Sequence, residues 1–147
     1  MELTDKTEIA RKLEQEGGDS EEILSLLLEA ANLGDAEAIY AIGTFYLHGK
    51  YLDKDVSKGV RFIARAAKKN WAAAAFDLGV AYETGDFVEK DLSEAFQNYL
   101  RAMMLGDLSG AEEVCRCLYY GIGTAKNQEL YDDLNGVLEA IRHREDK

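Results

Sequence analysis

The sequence contains no proline in 147 residues. Proline breaks helices because it lacks an N–H donor and its ring clashes with the preceding turn. Without it, every interior position can donate its backbone N–H. Ala, Leu, Glu and Lys, which favour helices, are abundant. The composition therefore predicts a helical protein.

Cysteine and long apolar runs are also scarce. Cys115 and Cys117 are the only cysteines. Two residues apart on a helix, they point to different faces, so we expect reduced thiols in or near the core. The N-terminus carries acid where a signal peptide needs base, and no apolar run approaches the length of about 20 residues that a spanning helix needs. These features predict a cytoplasmic protein without a membrane partner.

Positive charge is in deficit. The chain has 17 Lys and Arg residues against 28 Asp and Glu residues, a formal net charge of −11. Binding a nucleic-acid backbone needs clustered cations, so nucleic acid is excluded as the expected partner. An acidic surface speeds association with basic proteins by steering. The alternative interpretation is that the excess acid only keeps the protein soluble.

Residues that carry chemistry are few. His48 and His143 are the only histidines, and neither has ligand companions at metal-binding spacing. No serine lies in a nucleophile-elbow pattern, and neither cysteine has a base nearby in sequence. Gly121-Ile122-Gly123 lacks the strand and further glycines of a phosphate loop. The sequence predicts no metal, no cofactor and no enzymatic activity.

The sequence does contain an internal repeat of 36 residues. When Gly43 is placed over Gly79, many neighbouring pairs coincide without a gap. Those pairs are Ala36/Ala72, Ala38/Ala74, Tyr46/Tyr82, Gly49/Gly85, Tyr51/Phe87, Lys54-Asp55/Lys90-Asp91 and Ala66/Ala102. Further shifts map Gly85 on Gly121 and Asp55 on Asp19. We predict one repeat domain over 1–147, with a degenerate repeat at 1–35, repeats at 36–71 and 72–107, and a worn C-terminal repeat at 108–147.

Each unit has the pattern of two helices. Gly49 and Gly85 are placed to end the first helix in the left-handed conformation. The second helices are expected to begin after an N-cap residue and to end near Gly34, Asn70 and Gly106. The predicted N-caps are Asp19, Asp55, Asp91 and Asn127. Glycine inside a helix costs roughly 1 kcal/mol relative to alanine, so Gly43 and Gly79 predict a close helix crossing.

The run Ala-x-Ala-x-Tyr-x-Ile-Gly-x-x-Tyr-x-x-Gly from Ala36 to Gly49, followed by Lys54-Asp55 and Ala66-Ala67, resembles the SEL-one-like repeat. That family is related to the tetratricopeptide repeats. The resemblance covers about residues 20 to 142 and departs from the family pattern at Gly59 and Met103. It implies an all-α fold, a short right-handed α/α superhelix (solenoid) whose first helices line a concave groove. The paired cysteines of secreted members are missing, so their activities are not carried over.

The resemblance also implies which side chains line the groove. By analogy with the tetratricopeptide groove, they are Glu37, Tyr40, Thr44, Leu47, His48, Ala73, Phe76, Asp77, Val80, Glu83, Ser109, Glu112, Glu113, Arg116, Tyr119 and Tyr120. This lining is expected to be acidic with interleaved aromatics. Tyr40 and Phe76 have a second interpretation, as filling between units. Trp71, which stands where other copies have Asp35 and Asp107, either plugs a seam or anchors an interface.

These features predict a protein that binds another protein, a basic one by charge. The sharpest hypothesis is an immunity or inhibitor protein that masks a basic toxin or effector. The alternatives are an adaptor or regulatory scaffold that holds a signalling or assembly partner, and a small repeat-groove hydrolase, for which no triad is seen. A monomer or a weak homo-oligomer is expected.

Overall fold

The computed structural model describes residues 3–147, with side chains from residue 5 onward. The described residues form eight helices and no strand. The helices are α1 (Leu3–Gln15), α2 (Ser20–Asn32), α3 (Ala36–His48), α4 (Val56–Lys68), α5 (Ala72–Thr84), α6 (Leu92–Met104), α7 (Leu108–Tyr120) and α8 (Gln128–Glu145). The predicted helical class is confirmed. None of these helices combines the length and the apolar content needed to cross a bilayer.

The chain divides into two compact units. Unit 1 is Met1–Ala74 and unit 2 is Ala75–Lys147. The division lies near the predicted boundary between the repeats 36–71 and 72–107. In unit 1, α1 packs on α2, α2 on α3, and α3 on α4. In unit 2, α6 packs on α7 and α7 on α8. Each unit thus consists of consecutive helices that pack on one another.

The predicted N-caps of the second helices are confirmed. The side chains of Asp19, Asp55, Asp91 and Asn127 each accept a hydrogen bond from the backbone N–H three residues later. The structure adds two caps that sequence reasoning missed, since Asp35 and Asp107 cap the first helices α3 and α7. Free N–H groups at a helix start are thereby satisfied.

The loops between paired helices share one further hydrogen bond. The backbone N–H of Asp55 donates to the carbonyl of Tyr46 at 2.9 Å, and that of Asp91 to Tyr82 at 2.9 Å. Asn127 does the same to Leu118 at 3.0 Å. The residue that caps each second helix is therefore also tied to the first helix, which fixes where the second helix begins.

The second helices also end where predicted. Gly34, Asn70 and Gly106 have φ of +95°, +65° and +91°, the left-handed conformation that closes a helix. Asparagine is the residue other than glycine that adopts this conformation most readily. The three positions therefore have one role despite two residue types.

The close helix crossings are confirmed as well. A Cβ atom built on Gly43 would lie 2.8 Å from Ile63 Cδ1 of α4. On Gly79 it would lie 2.6 Å from the ring atoms Cδ1 and Cε1 of Tyr99 in α6. Only glycine lets these helices approach so closely.

The core of each unit is built from these faces. In unit 1 it contains Ile23, Ile39, Ile42 and Ile63 with buried alanines. In unit 2, a cluster joins Ala95, Tyr99, Val114, Cys117 and Leu118. Both cysteines are free and buried, as predicted. Burial raises the pKa of the Cys117 thiol to about 11 and that of Cys115 above its ordinary value, so both thiols are protonated at neutral pH.

Candidate binding clefts

A cleft of about 400 Å³ opens in unit 1 between α1, α3 and the start of α5. We call it the α3 cleft. It brings together six of the residues predicted to line a binding surface. Its lining residues are Arg11, Glu14, Glu37, Tyr40, Ala41, Thr44, Phe45, His48, Lys50, Trp71 and Ala73.

Aromatic rings form the apolar part of the α3 cleft. The rings of Tyr40 and Trp71 are tilted against each other with centroids 6.4 Å apart. Phe45 packs edge-on against Tyr51 at 5.1 Å. The indole Nε1 of Trp71 is buried and has no hydrogen-bond acceptor among the described side chains and backbone. The cleft thus offers aromatic faces, and the Trp71 beside them keeps an unused donor.

Two ion pairs border the same cleft. Arg11 of α1 binds Glu37 at the start of α3, with its Nε 3.0 Å from Oε1. Lys50, just after α3, binds Glu14 of α1, and this hydrogen bond raises the pKa of Lys50. Each carboxylate is matched by a cation. The rim is therefore polar but balanced in charge.

A second cleft, of about 380 Å³, lies in unit 2 between α7 and α8. We call it the α7 cleft. It is lined by Glu112, Cys115, Arg116, Tyr119, Tyr120, Tyr131, Asn135, Leu138 and Arg142. Tyr119 stacks edge-on with Tyr120 at 4.8 Å and packs on Tyr131 at 5.0 Å. Tyr120 is 63% exposed, so an aromatic surface faces solvent here.

Arg116, which lines the α7 cleft, organises a half-buried polar network. Its Nη2 lies 2.8 and 2.6 Å from the two carboxylate oxygens of Glu83, and its Nε lies 2.7 Å from Glu113 Oε2. The hydroxyl of Tyr99 donates to Glu83 at 2.7 Å. Burial acts to raise the pKa of Glu83, but the hydrogen bonds from Arg116 and Tyr99 outweigh it, and the pKa is lowered. Burial and the bond to Glu83 raise the pKa of Tyr99.

The carboxylates that were expected to make the lining acidic are each paired with a cation. Glu37 is paired with Arg11, Glu83 and Glu113 with Arg116, and Glu112 with Arg142. The predicted lining included Arg116 but neither Arg11 nor Arg142. Arg11 comes from α1 and Arg142 from α8, the two helices whose repeats are most worn.

The prediction that Leu47 lines the groove is wrong. It is only 9% exposed. A Cβ on Gly59 would lie 2.7 Å from Leu47 Cγ and Cδ2. Leu47 therefore fills the space left by Gly59, where the family pattern has alanine, and is a core residue.

The remaining predicted lining residues lie outside both clefts. Phe76 packs against Tyr99 with ring centroids 5.7 Å apart, which places it at the edge of the unit 2 core. Asp77 is half-buried, while Val80 and Ser109 are exposed. Arg11, Glu14, Lys50, Tyr131, Asn135 and Arg142 were missed.

Comparison with known proteins identifies the repeat. The Sel1 repeat family profile matches residues 36–71, 72–107 and 109–130. No curated protein matches the sequence significantly. Residues that could hold a metal do not cluster in the described part of the chain.

Several solved structures resemble this one, among them the following three. A Sel1 repeat protein from Oxalobacter formigenes aligns with 95% of this chain and 58% of its own, at 25% identity and a TM-score of 0.82. A protective antigen of uropathogenic Escherichia coli aligns with 95% of this chain and 30% of its own, at 23% identity and a TM-score of 0.83. Cysteine-rich protein B of Helicobacter pylori aligns with 65% of this chain and 71% of its own, at 24% identity and a TM-score of 0.61. The chain thus spans less than two thirds of the first two proteins.

The profile covers more than half of the chain. The structural matches agree with the predicted repeat fold. This fold generally serves as a protein–protein interaction module, and its members are typically non-enzymatic scaffolds. The chain belongs to the Sel1 repeat family.

Proposed function

We propose that this protein is an adaptor that holds a segment of a partner protein, with an apolar side chain of the partner seated in the α3 cleft. The observation that carries the proposal is the pairing of Tyr40 and Trp71 at the wall of that cleft. Tryptophan, tyrosine and arginine are the residues that dominate binding energies at protein interfaces. Arg11 lies at the same rim.

The unused indole donor of Trp71 supports the same site. A buried donor without an acceptor costs about 1–3 kcal/mol. Because Nε1 is buried, a main-chain carbonyl of the partner would recover that cost if the Trp71 side chain turned toward the cleft on binding. The balanced ion pairs Arg11–Glu37 and Lys50–Glu14 leave the cleft without a strong charge preference. Recognition at the α3 cleft is therefore expected to depend on shape and apolar contact.

A second candidate function is that of an immunity or inhibitor protein that masks a basic toxin or effector. Its support is the charge of unit 2, where residues 75–147 contain 15 Asp and Glu residues but seven Lys and Arg residues. Residues 1–74 are close to balance, with 13 acidic and 10 basic residues. A basic partner would be steered to unit 2, where Tyr119 and Tyr120 supply exposed apolar contact.

One set of variants separates the two candidates. Tyr40→Ala removes a wall of the α3 cleft, and Tyr120→Ala removes the exposed ring of the α7 cleft. The double variant Asp132→Asn with Asp133→Asn removes two negative charges from unit 2. Affinity capture from cytosol with wild type and each variant, read by quantitative mass spectrometry, identifies partners that respond to one cleft. The adaptor proposal expects a stoichiometric partner that Tyr40→Ala releases and that the Asp132/Asp133 variant still binds.

Purified partner then gives a direct measurement. Trp71 is the only tryptophan, so a partner without tryptophan that enters the α3 cleft should change the intrinsic fluorescence. A partner that binds Tyr40→Ala as tightly as wild type would overturn the adaptor proposal. If that partner is basic and is lost with Tyr120→Ala and at raised salt, the inhibitor function takes its place.

A further inference from the structure

Charge is segregated between two second helices of unit 1. Residues 13–49 contain eight Asp and Glu residues and no Lys or Arg. Residues 56–76 contain five Lys and Arg residues and no Asp or Glu. Among ionisable side chains, α2 therefore carries only carboxylates and α4 only cations.

The charges of α2 and α4 occupy equivalent positions. The 36-residue shift places Glu22 on Lys58 and Glu29 on Arg65, and all four side chains are exposed. Arg61 and Lys68 extend the cationic stripe along the same face of α4 at helical spacing. These four α4 cations make no ion pair with any of the described carboxylates within 4 Å.

Two of these cations are held against aromatic rings. The Nζ atom of Lys58 lies 5.6 Å from the ring centroid of Tyr46, and the Cζ atom of Arg65 lies 5.4 Å from that of Phe62. Such contacts reduce the number of conformations of the side chains. The positive groups are therefore partly ordered before any partner arrives.

The repeat fold does not require these charges. At the positions of Lys58 and Arg65, α6 has Glu94 and Arg101, and α8 has Leu130 and Val137. Opposite charges, mixed charges and apolar residues all occupy the same exposed sites. The separation into an acidic α2 and a basic α4 therefore has no explanation in the packing of the repeat.

The two charged helices both pack against α3 and approach each other at their C-terminal ends. Both follow or precede α3 through a short loop and pack against it, so they run in the same direction. At their C-terminal ends, a Cβ atom on Gly34 would lie 3.2 Å from Lys69 Nζ. The two helices have 13 residues each, and their equivalent C-terminal ends are within reach of one lysine side chain.

We propose that two copies of this chain associate through this surface. A two-fold axis that runs between α2 and α4, parallel to them, places α4 of each copy over α2 of the other. Glu22 then faces Lys58 of the second copy and Glu29 faces Arg65, and the symmetry repeats both pairs. A two-fold axis across the helices would instead place like charges together.

The contact is weak and reversible. It consists of exposed ion pairs, which salt screens, and Glu29 also binds Lys6 of its own chain. Unit 1 is the less charged half of the chain, with 10 basic against 13 acidic residues. Repulsion between two acidic molecules is therefore smallest where these faces meet.

Sedimentation velocity over a wide range of concentrations tests the proposal at low and at high salt. Wild type should form dimers at low salt and dissociate at high salt. Lys58→Glu with Arg65→Glu should be monomeric, and so should Glu22→Lys with Glu29→Lys. An equimolar mixture of these two variants restores all four ion pairs, so heterodimers should form. Circular dichroism melting checks that each variant is folded.

The matched control is Lys126→Glu with Arg144→Glu, which changes net charge by the same amount on exposed residues of unit 2. It should still form dimers, although more weakly than wild type. A protein that stays monomeric at every concentration overturns the proposal. So does a dimer that both double variants preserve, a mixture that forms no heterodimer, or an association that high salt strengthens.

Discussion

The repeats 36–71 and 72–107 build the same helix crossing with different side chains. Gly43 and Gly79 are equivalent, and each lets a second helix approach closely. The residue that faces the glycine is Ile63 in one repeat and Tyr99 in the other. Both are almost fully buried.

The difference extends to a second pair of positions. In the repeat 36–71, Leu47 covers Gly59, and the side-chain contact is apolar. In the next repeat, the equivalent residues are Glu83 and Ala95. Glu83 does not enter the core but accepts hydrogen bonds from Tyr99 and Arg116.

The residues at this crossing therefore differ between the two repeats as a set, and not one position at a time. A larger residue at one position is matched by a smaller one opposite, because a close-packed interior leaves no spare volume. Where the large residue is tyrosine, its hydroxyl needs a partner, and a carboxylate supplies it. The repeat conserves the backbone crossing but not the chemistry that fills it.

The largest effect is expected from truncating the residue that faces the glycine. Tyr99→Ala should lower the free energy of unfolding by about 4 kcal/mol and Ile63→Ala by about 3 kcal/mol, because large-to-small changes in cores leave cavities. Tyr99→Phe is the matched control and should cost about 1 kcal/mol, the value of one hydrogen bond. Urea unfolding followed by circular dichroism measures all three. If Tyr99→Phe and Tyr99→Ala lowered the free energy of unfolding equally, packing of the ring against Gly79 would not be what stabilises the crossing.

The next effect concerns Gly59. Alanine is the better helix former by about 1 kcal/mol, so propensity alone predicts that Gly59→Ala stabilises. We expect the opposite, a loss of about 1–3 kcal/mol, because the new methyl group overpacks against Leu47 and the Gly43 carbonyl. In a double-mutant cycle with Leu47→Ala, the two changes should be coupled by about 1 kcal/mol. If the two substitutions were additive, or if Gly59→Ala stabilised the protein, Leu47 would not be filling the space left by Gly59.

Much of the fold could be predicted because it depends on local chemistry. Asp55, Asp91 and Asn127 are of the residue types that are preferred at the start of a helix. The spacing of Gly43 from Gly79 gives the length of the repeat. These signals are readable along the chain without knowing what lies opposite. The unpredicted caps Asp35 and Asp107 were available from the same pattern.

The clefts were harder to predict, because they depend on contacts between residues far apart in sequence. Tyr40 and Trp71 were singled out and do lie together. The pairing of Glu37 with Arg11, or of Glu112 with Arg142, involves side chains from α1 and α8 that carry little of the repeat pattern. Leu47 was misassigned for a related reason, since its burial follows from the missing Cβ of Gly59.

In the repeat 72–107, the contribution of Glu83 to the free energy of unfolding should depend on pH. The pKa of Glu83 is lowered from its ordinary value of 4.5, so its stabilising effect is complete above that value and is lost as pH falls through the lower folded value. Glu83→Gln should cost about 1 kcal/mol at pH 7. Urea unfolding should show this difference shrink in acid, below about pH 4.5. A difference that is constant down to strong acid would argue against an ionised Glu83.

The smallest effect tests whether steric crowding, and not the helix propensity of glycine, determines the effect of Gly59→Ala on stability. Gly136 lies in the interior of α8, and a Cβ built on it meets no atom within 4 Å. Gly136→Ala therefore gains helix propensity without any clash, and should stabilise by about 0.5–1 kcal/mol. The same substitution at Gly59 is expected to destabilise, and urea unfolding of both variants gives the comparison. Opposite signs would show that volume decides the outcome at Gly59, whereas equal signs would show that backbone propensity does.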